Sequence, residues 1–234
     1  MKKVTLFLLI ILIIPAFAFS DESFFPTSKG TVQITANFNS SGRIEGYSRL
    51  AVKDVIVSGN DMTVVYAIQI LDRNRKPINN RPEREYKVRI LNGVLMFQLD
   101  GTMEAYFAVR KMNYTMTAGV LSVPSTLEPG SRLTDTWMKI DINIPVIGTV
   151  TANVALTNIV CTGIEMVTVP AGTFQAYKVT QISTTTTTGW NIPTLVNNGV
   201  TWYVKGIGSV KYVSYDDKGK VESSTELHEL IRLD

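Results

Sequence analysis

Val146-Ile147-Gly148-Thr149-Val150-Thr151-Ala152-Asn153-Val154-Ala155-Leu156-Thr157-Asn158-Ile159-Val160 alternates between apolar and polar residues along most of its length. Val146, Val150, Val154, Leu156 and Val160 fall on one side of an extended chain, with Thr149, Thr151, Asn153 and Thr157 on the other. A helix would bring apolar residues round every three or four positions, whereas a period of two belongs to a strand with one buried side. The same pattern recurs outward from this stretch. Val32, Ile34, Ala36 and Phe38 oppose Thr31, Gln33, Thr35 and Asn37, and Met138, Ile140, Ile142 and Ile144 oppose Lys139, Asp141 and Asn143. Thr63 to Leu71 and Val94 to Leu99 are apolar on both sides, as central strands covered twice would be.

Turn residues punctuate these runs: Asn39-Ser40-Ser41-Gly42, Ser58-Gly59-Asn60-Asp61, Asn92-Gly93 and Asp216-Asp217-Lys218-Gly219. Asn92-Gly93 predicts a two-residue type I′ hairpin. Phe38 to Glu45 echoes Tyr215 to Glu222, and Leu71 to Ile78 is a looser third copy, which suits one hairpin design used repeatedly better than a set of binding loops. Only Thr102 to Tyr114 carries a helical stripe, through Met103, Tyr106, Phe107 and Met112, and it is expected to form a short helix or a loop across a sheet edge. The chain is therefore expected to be all-β, with at most one or two short helices. Residues 21–234 read as a single antiparallel domain; if it divides into two sequential halves, they meet near 125–135, around Pro129-Gly130.

The first twenty residues have a different character. Lys2 and Lys3 precede the apolar run Val4 to Ile14, Pro15 breaks it, and Ala16-Phe17-Ala18 or Ala18-Phe19-Ser20 supplies a cleavage frame. This order marks 1–20 as a secretory signal peptide, and its apolar core of roughly 11 residues falls short of the ~20 a spanning helix needs. The exported chain is expected in the periplasm or outside the cell, with no transmembrane segment after signal removal. Cys161 is the only cysteine and lies far from the leader. Neither an intrachain disulfide nor an acylated cysteine after a cleavage site is available, so the protein is expected to be soluble or peripherally attached, not lipid-anchored. The formal charge of +3 falls to about +1 without the leader's lysines, which gives no general pull toward nucleic acid.

No familiar catalytic, cofactor-binding or metal-binding constellation is visible. His228 is the only histidine, there is no Gly-x-Ser-x-Gly elbow, and one His with one Cys is too few for zinc. His228 alternates with Leu227, Ile231 and Leu233, which points it outward beside Glu226 and Glu229, while Cys161 reads as a small apolar residue ending a strand. Lys205-Gly206-Ile207-Gly208 lacks the third glycine of a dinucleotide loop and reads as a turn. A carboxylate-dependent hydrolase would need two of Asp54, Asp72, Asp100, Glu128, Asp135 and Glu165 to converge in space.

Two further segments carry a resemblance. Val167 to Val179, with Pro170-Ala171-Gly172-Thr173-Phe174, and Trp202-Tyr203-Val204-Lys205-Gly206-Ile207-Gly208 resemble motifs of TapB-like proteins, exported proteins of Bacteroidota. Phe24-Phe25-Pro26 and Lys29-Gly30-Thr31 match as well, so the resemblance covers nearly the whole mature chain. It implies a large, strongly curved antiparallel sheet, a half-barrel or incomplete barrel distantly similar to LolA-like lipoprotein carriers, whose concave face holds acyl chains. It implies no reaction. In that setting Val64, Tyr66, Ile68, Met96 and Phe97 are candidate lining residues for a lipid or other hydrophobic envelope ligand, whereas Pro170, Ala171, Gly172, Thr173, Phe174, Trp202, Tyr203, Gly206 and Gly208 are expected to be structural. A partner-binding or structural envelope protein without a small ligand is the alternative.

Overall fold

A computed structural model describes residues 23–232 apart from 79–81, 100–112 and 147. The segment expected to be a signal peptide, Asp100 and most of the helical stripe lie outside the described residues. Asn113 and Tyr114, at the end of that stripe, open a strand.

Thirteen strands form one antiparallel sheet nearly closed into a barrel. They are β1 (Val32–Asn39), β2 (Ile44–Ser58), β3 (Asp61–Leu71), β4 (Arg84–Leu91), β5 (Val94–Gln98), β6 (Asn113–Ala118), β7 (Val120–Pro124), β8 (Thr136–Ile144), β9 (Gly148–Val169), β10 (Gly172–Thr188), β11 (Leu195–Val204), β12 (Gly208–Tyr215) and β13 (Val221–Ile231). Their order across the sheet is β6-β8-β9-β10-β11-β12-β13-β1-β2-β3-β4-β5-β7. Most neighbours are consecutive hairpins, and the first strand closes onto the last. Asn92 and Gly93 both have positive φ, 48° and 79°, as a type I′ turn between β4 and β5 requires.

The three echoed loops share one set of hydrogen bonds. Asn39 Oδ1 accepts the N–H groups of Ser41 and Arg43, Asp72 Oδ1 those of Asn74 and Lys76, and Asp216 Oδ1 those of Lys218 and Lys220. The next-to-last position is left-handed each time, in Gly42, Arg75 and Gly219. An Asx side chain that satisfies two loop amides explains the repetition without a ligand.

The main core lies on the inner side of the sheet. Val52, Val64, Tyr66, Val88, Val123, Ile159, Cys161 and Val179 meet there, each almost wholly buried. Each such side chain contributes about 1.5–3 kcal/mol by leaving water. The segment preceding β1 enters this space. Phe24 lies edge-on to Tyr177 at 5.0 Å, and Phe25 lies 5.1 Å from Tyr66. Gly206 donates its N–H to Ser23 O at 2.7 Å, fixing the entry. Residues between β7 and β8 also pack inward through Leu127 and Leu133, and Ser131 O accepts the N–H of Cys161.

The opening stretch departs from simple alternation at three places. Val146 stands outside the strand in a turn, fully exposed at φ 75°. Asn158 (φ 51°) sits in a bulge where β9 pairs Thr157 with Ile182 and Val160 with Thr180. The extra residue moves the inward positions from Leu156 to Ile159 and Cys161, so Val160 faces the other way. Cys161 consequently lies mid-strand, not at an end. A second irregularity at Thr162 leaves Gly163, Glu165, Val167 and Val169 on the outer side.

Beyond that point burial changes sides. Val167, Val169 and Ala176 pack with Trp202, Val204, Val210 and Val213 in a second cluster. The tip of the β9–β10 hairpin is tied to β13 by the Ala171 N–H donating to Leu227 O at 3.2 Å. Pro170-Ala171-Gly172 is thus a turn that docks a long hairpin across the sheet.

Candidate functional site

The outer side of the sheet carries one continuous row of side chains. Lys178 on β10 stands opposite Trp202 on β11, Trp202 opposite Lys211 on β12, and Lys211 opposite Glu226 on β13. Alternation explains why Trp202 and Tyr203 part company. Tyr203 points into the core, 6.2 Å from Phe24, and burial pushes its phenol up. Trp202 points outward, where its indole N–H donates to Glu165 Oε1 at 2.7 Å.

Charges frame this indole. Lys178 Nζ lies 3.4 Å from Glu165 Oε1 and 5.5 Å from the Trp202 ring centre, and Lys211 Nζ lies 5.9 Å from that ring. Both ammoniums are within cation–π range. Lys211 also pairs with Glu226 at 2.8 Å. The indole N–H holds the Glu165 carboxyl below the usual carboxylate range, against desolvation and with smaller help from Lys178. Glu165 is therefore a fixed acceptor, not a proton donor at neutral pH.

Beside this row lies an open groove of about 350 Å³. Val167, Val213, Val221, Trp202 and Tyr215 form its apolar surface, and Glu165, Lys211, Ser224 and Glu226 supply polar groups. The arrangement can hold an apolar group on the valines and a polar or zwitterionic group at the two ion pairs. It does not assemble a proton relay.

The candidate cavity-lining residues do not meet in this groove. Val64, Tyr66 and Ile68 are buried in the main core, and Phe97 packs against it. Met96 pairs with Arg89 and Ser122, and the Ser122 hydroxyl points to its sulfur at 3.5 Å, on the side opposite Leu95. The motif residues have structural explanations. Thr173 and Thr168 exchange a hydroxyl hydrogen bond at 3.0 Å across the hairpin, and Phe174 packs on the second cluster. Gly208 has φ 100°, and a Cβ there would come within 3.2 Å of Phe24 O. Gly206 (φ 70°) receives the Phe24 segment through its bond to Ser23.

The described carboxylates are engaged separately. Asp54 pairs with Lys29 at 3.2 Å, Asp72 closes its own loop, Asp135 accepts the Asn158 N–H at 3.2 Å, and Glu128 lies in the loop closed by Ser131. Of that candidate set, Glu165 alone lines the groove, and its carboxylate neighbour there is Glu226. Cys161 is fully buried, and desolvation raises its thiol pKa. His228 differs from the expected surface residue. It is the extra residue of a bulge in β13, so its ring turns onto Tyr47 at 5.7 Å and its Nδ1 is buried. Sequence patterns did not single out Lys178, Lys211 and Glu226. The usable signal was a lysine sharing a strand side with apolar neighbours, as Lys211 does with Val213.

These features define a β-barrel-like domain with a filled interior and an external amphipathic groove. The chain belongs to the DUF3108-like family, whose model matches residues 28–227. It is similar to a solved protein of Bacteroides fragilis taken to be exported and to have a YmcC-like fold, at 19% identity over 90% of this chain and 99% of that one, with a TM-score of 0.73. It is also similar to a solved protein of Parabacteroides distasonis taken to be a lipoprotein, at 21% identity over 89% and 98%, with a TM-score of 0.74. No curated protein matches the sequence. The shared fold is thus found in proteins taken to be exported, and the lipoprotein among them leaves the expectation of an unanchored chain without support from these matches. No helix among the described residues is long and apolar enough to cross a membrane.

Proposed function

We propose that this is an exported, non-enzymatic binding protein that holds a small envelope amphiphile in the Trp202 groove. The apolar part would rest on Val167, Val213 and Val221, and the polar part would lie against Glu165, Lys211 and Glu226. The observation that carries this reading is the groove itself: about 350 Å³ of open space with an apolar floor and two ion pairs at its edge. A leader in the sequence and the exported neighbours support the location. The separate engagement of Asp54, Asp135 and Glu165 supports a role without catalysis. The resemblance to TapB-like proteins and LolA-like carriers supports an acyl-bearing ligand, although Phe24 and Phe25 occupy the inner side of this sheet.

Titration with the fluorescent amphiphile dansyl-undecanoate, together with mass spectrometry of lipid released from the purified protein, tests the proposal. A saturable signal that Val213→Glu weakens at least tenfold is expected. Absence of both bound lipid and probe binding, or equal binding by the variant, would refute it.

A further inference from the structure

Two neighbouring turns at one end of the sheet are built without charges. Ile142 to Ile164 and Val179 to Val204 contain no Asp, Glu, Lys or Arg, although 18% of the chain is charged, a rate that would place about nine in those stretches. The two stretches supply neighbouring turns. Ile144 pairs with Gly148 across the β8–β9 turn, and Thr188 pairs with Thr151 beside it. A Cβ on Gly189, which opens the β10–β11 loop, would lie 2.4 Å from Thr149 O.

Beside Thr149, Asn191 and Thr194, the exposed side chains on these turns are apolar, and five of them are large. Trp190 is 52% exposed, Leu195 53%, and Ile192 and Val196 about two-fifths, while Val146 is open to solvent on all sides. Val146 also holds φ 75°, a conformation that costs a β-branched residue and suits Gly or Asn. Such a placement strains the turn yet keeps a bare valine at its tip.

We infer that this end is a membrane-docking tip whose occupant is the interface of a lipid bilayer. The two turns present apolar side chains at their tips, as shallow insertion requires, and an indole is suited to the boundary between headgroups and acyl chains. The uncharged Thr184 to Thr188 run stands behind the tip, where a hydrated polar collar is needed. Five exposed side chains are far fewer than the 20–30 residues a side of a standard protein interface. The tip shares no lining residue with the Trp202 groove.

Flotation of the exported protein with phosphatidylcholine vesicles, with and without one-fifth phosphatidylglycerol, tests this inference at 0.1 and 0.5 M salt. Binding is expected to neutral vesicles and to change less than twofold with salt, because neither turn carries a charge. Trp190→Ser with Leu195→Ser should weaken it about tenfold or more, whereas Val213→Glu in the groove should leave it unchanged. Brominated phosphatidylcholine should quench part of the tryptophan emission of the unmodified protein, and that quenching should vanish in Trp190→Phe, which keeps the test independent of how the double variant folds. No flotation, binding that needs anionic lipid, undiminished binding by the double variant, or concentration-dependent pairing of copies that the double variant abolishes would each overturn the inference.

Discussion

Replacing Phe24 with alanine should cost this protein about 4 kcal/mol. Phe24 is 1% exposed and lies among Tyr177, Tyr203 and the valines of the main core. Truncating a buried phenylalanine removes its transfer energy and leaves a cavity, together about 3–5 kcal/mol. The edge-on contact with Tyr177 contributes about 0.5–1.5 kcal/mol to what is lost and favours the middle or top of that range. With a urea m-value of about 3 kcal/mol/M, the unfolding midpoint should fall by about 1.3 M without a change in slope. Equilibrium unfolding followed by far-ultraviolet circular dichroism measures this directly. A shift below about 0.3 M would mean that the segment before β1 does not fill the interior, and the assignment of the ligand to the outer groove would lose its basis.

Three further outcomes follow from particular contacts. Glu165 has its folded pKa depressed by the Trp202 N–H, so its contribution to stability is fully present above the ordinary value of 4.5 and is lost as pH falls through the lower folded value; the indole N–H resonance of Trp202 should report a titration midpoint below 4.5, and a midpoint at or above it would contradict the bond. Gly208→Ala forces a side chain onto φ 100° and toward Phe24 O, and thermal or urea unfolding should show a loss of about 1–3 kcal/mol. Cys161 should resist a thiol reagent in the native protein and react once it is unfolded, because it is buried and its thiol pKa is raised; rapid native labelling would show that β9 opens.

Strands and turns were legible because their signals are local. Period-two alternation located β1, β8 and much of β9, and the Asx-containing loops announced the hairpins. The bulges at Asn158, Thr162 and His228 were not legible, since one unpaired residue reverses every later side chain without changing composition. Val160 and His228 were misplaced for this reason. The site was harder still. Lys178, Trp202, Lys211 and Glu226 come from four strands and meet only through register. The sequence marked Trp202 and Tyr203 as a pair, but only the sheet sends one to the groove and the other to the core. The two-sided apolar strands suggested a cavity because apolar residues alone do not distinguish an open pocket from one filled by Phe24 and Phe25.

Methyl-selective nuclear magnetic resonance of valine-labelled protein, titrated with dansyl-undecanoate, tests the central claim most directly. The methyls of Val167, Val213 and Val221 should shift saturably, while those of Val64, Val88 and Val123 stay in place. Shifts confined to the inner valines would contradict the account and return the ligand to the inside of the sheet.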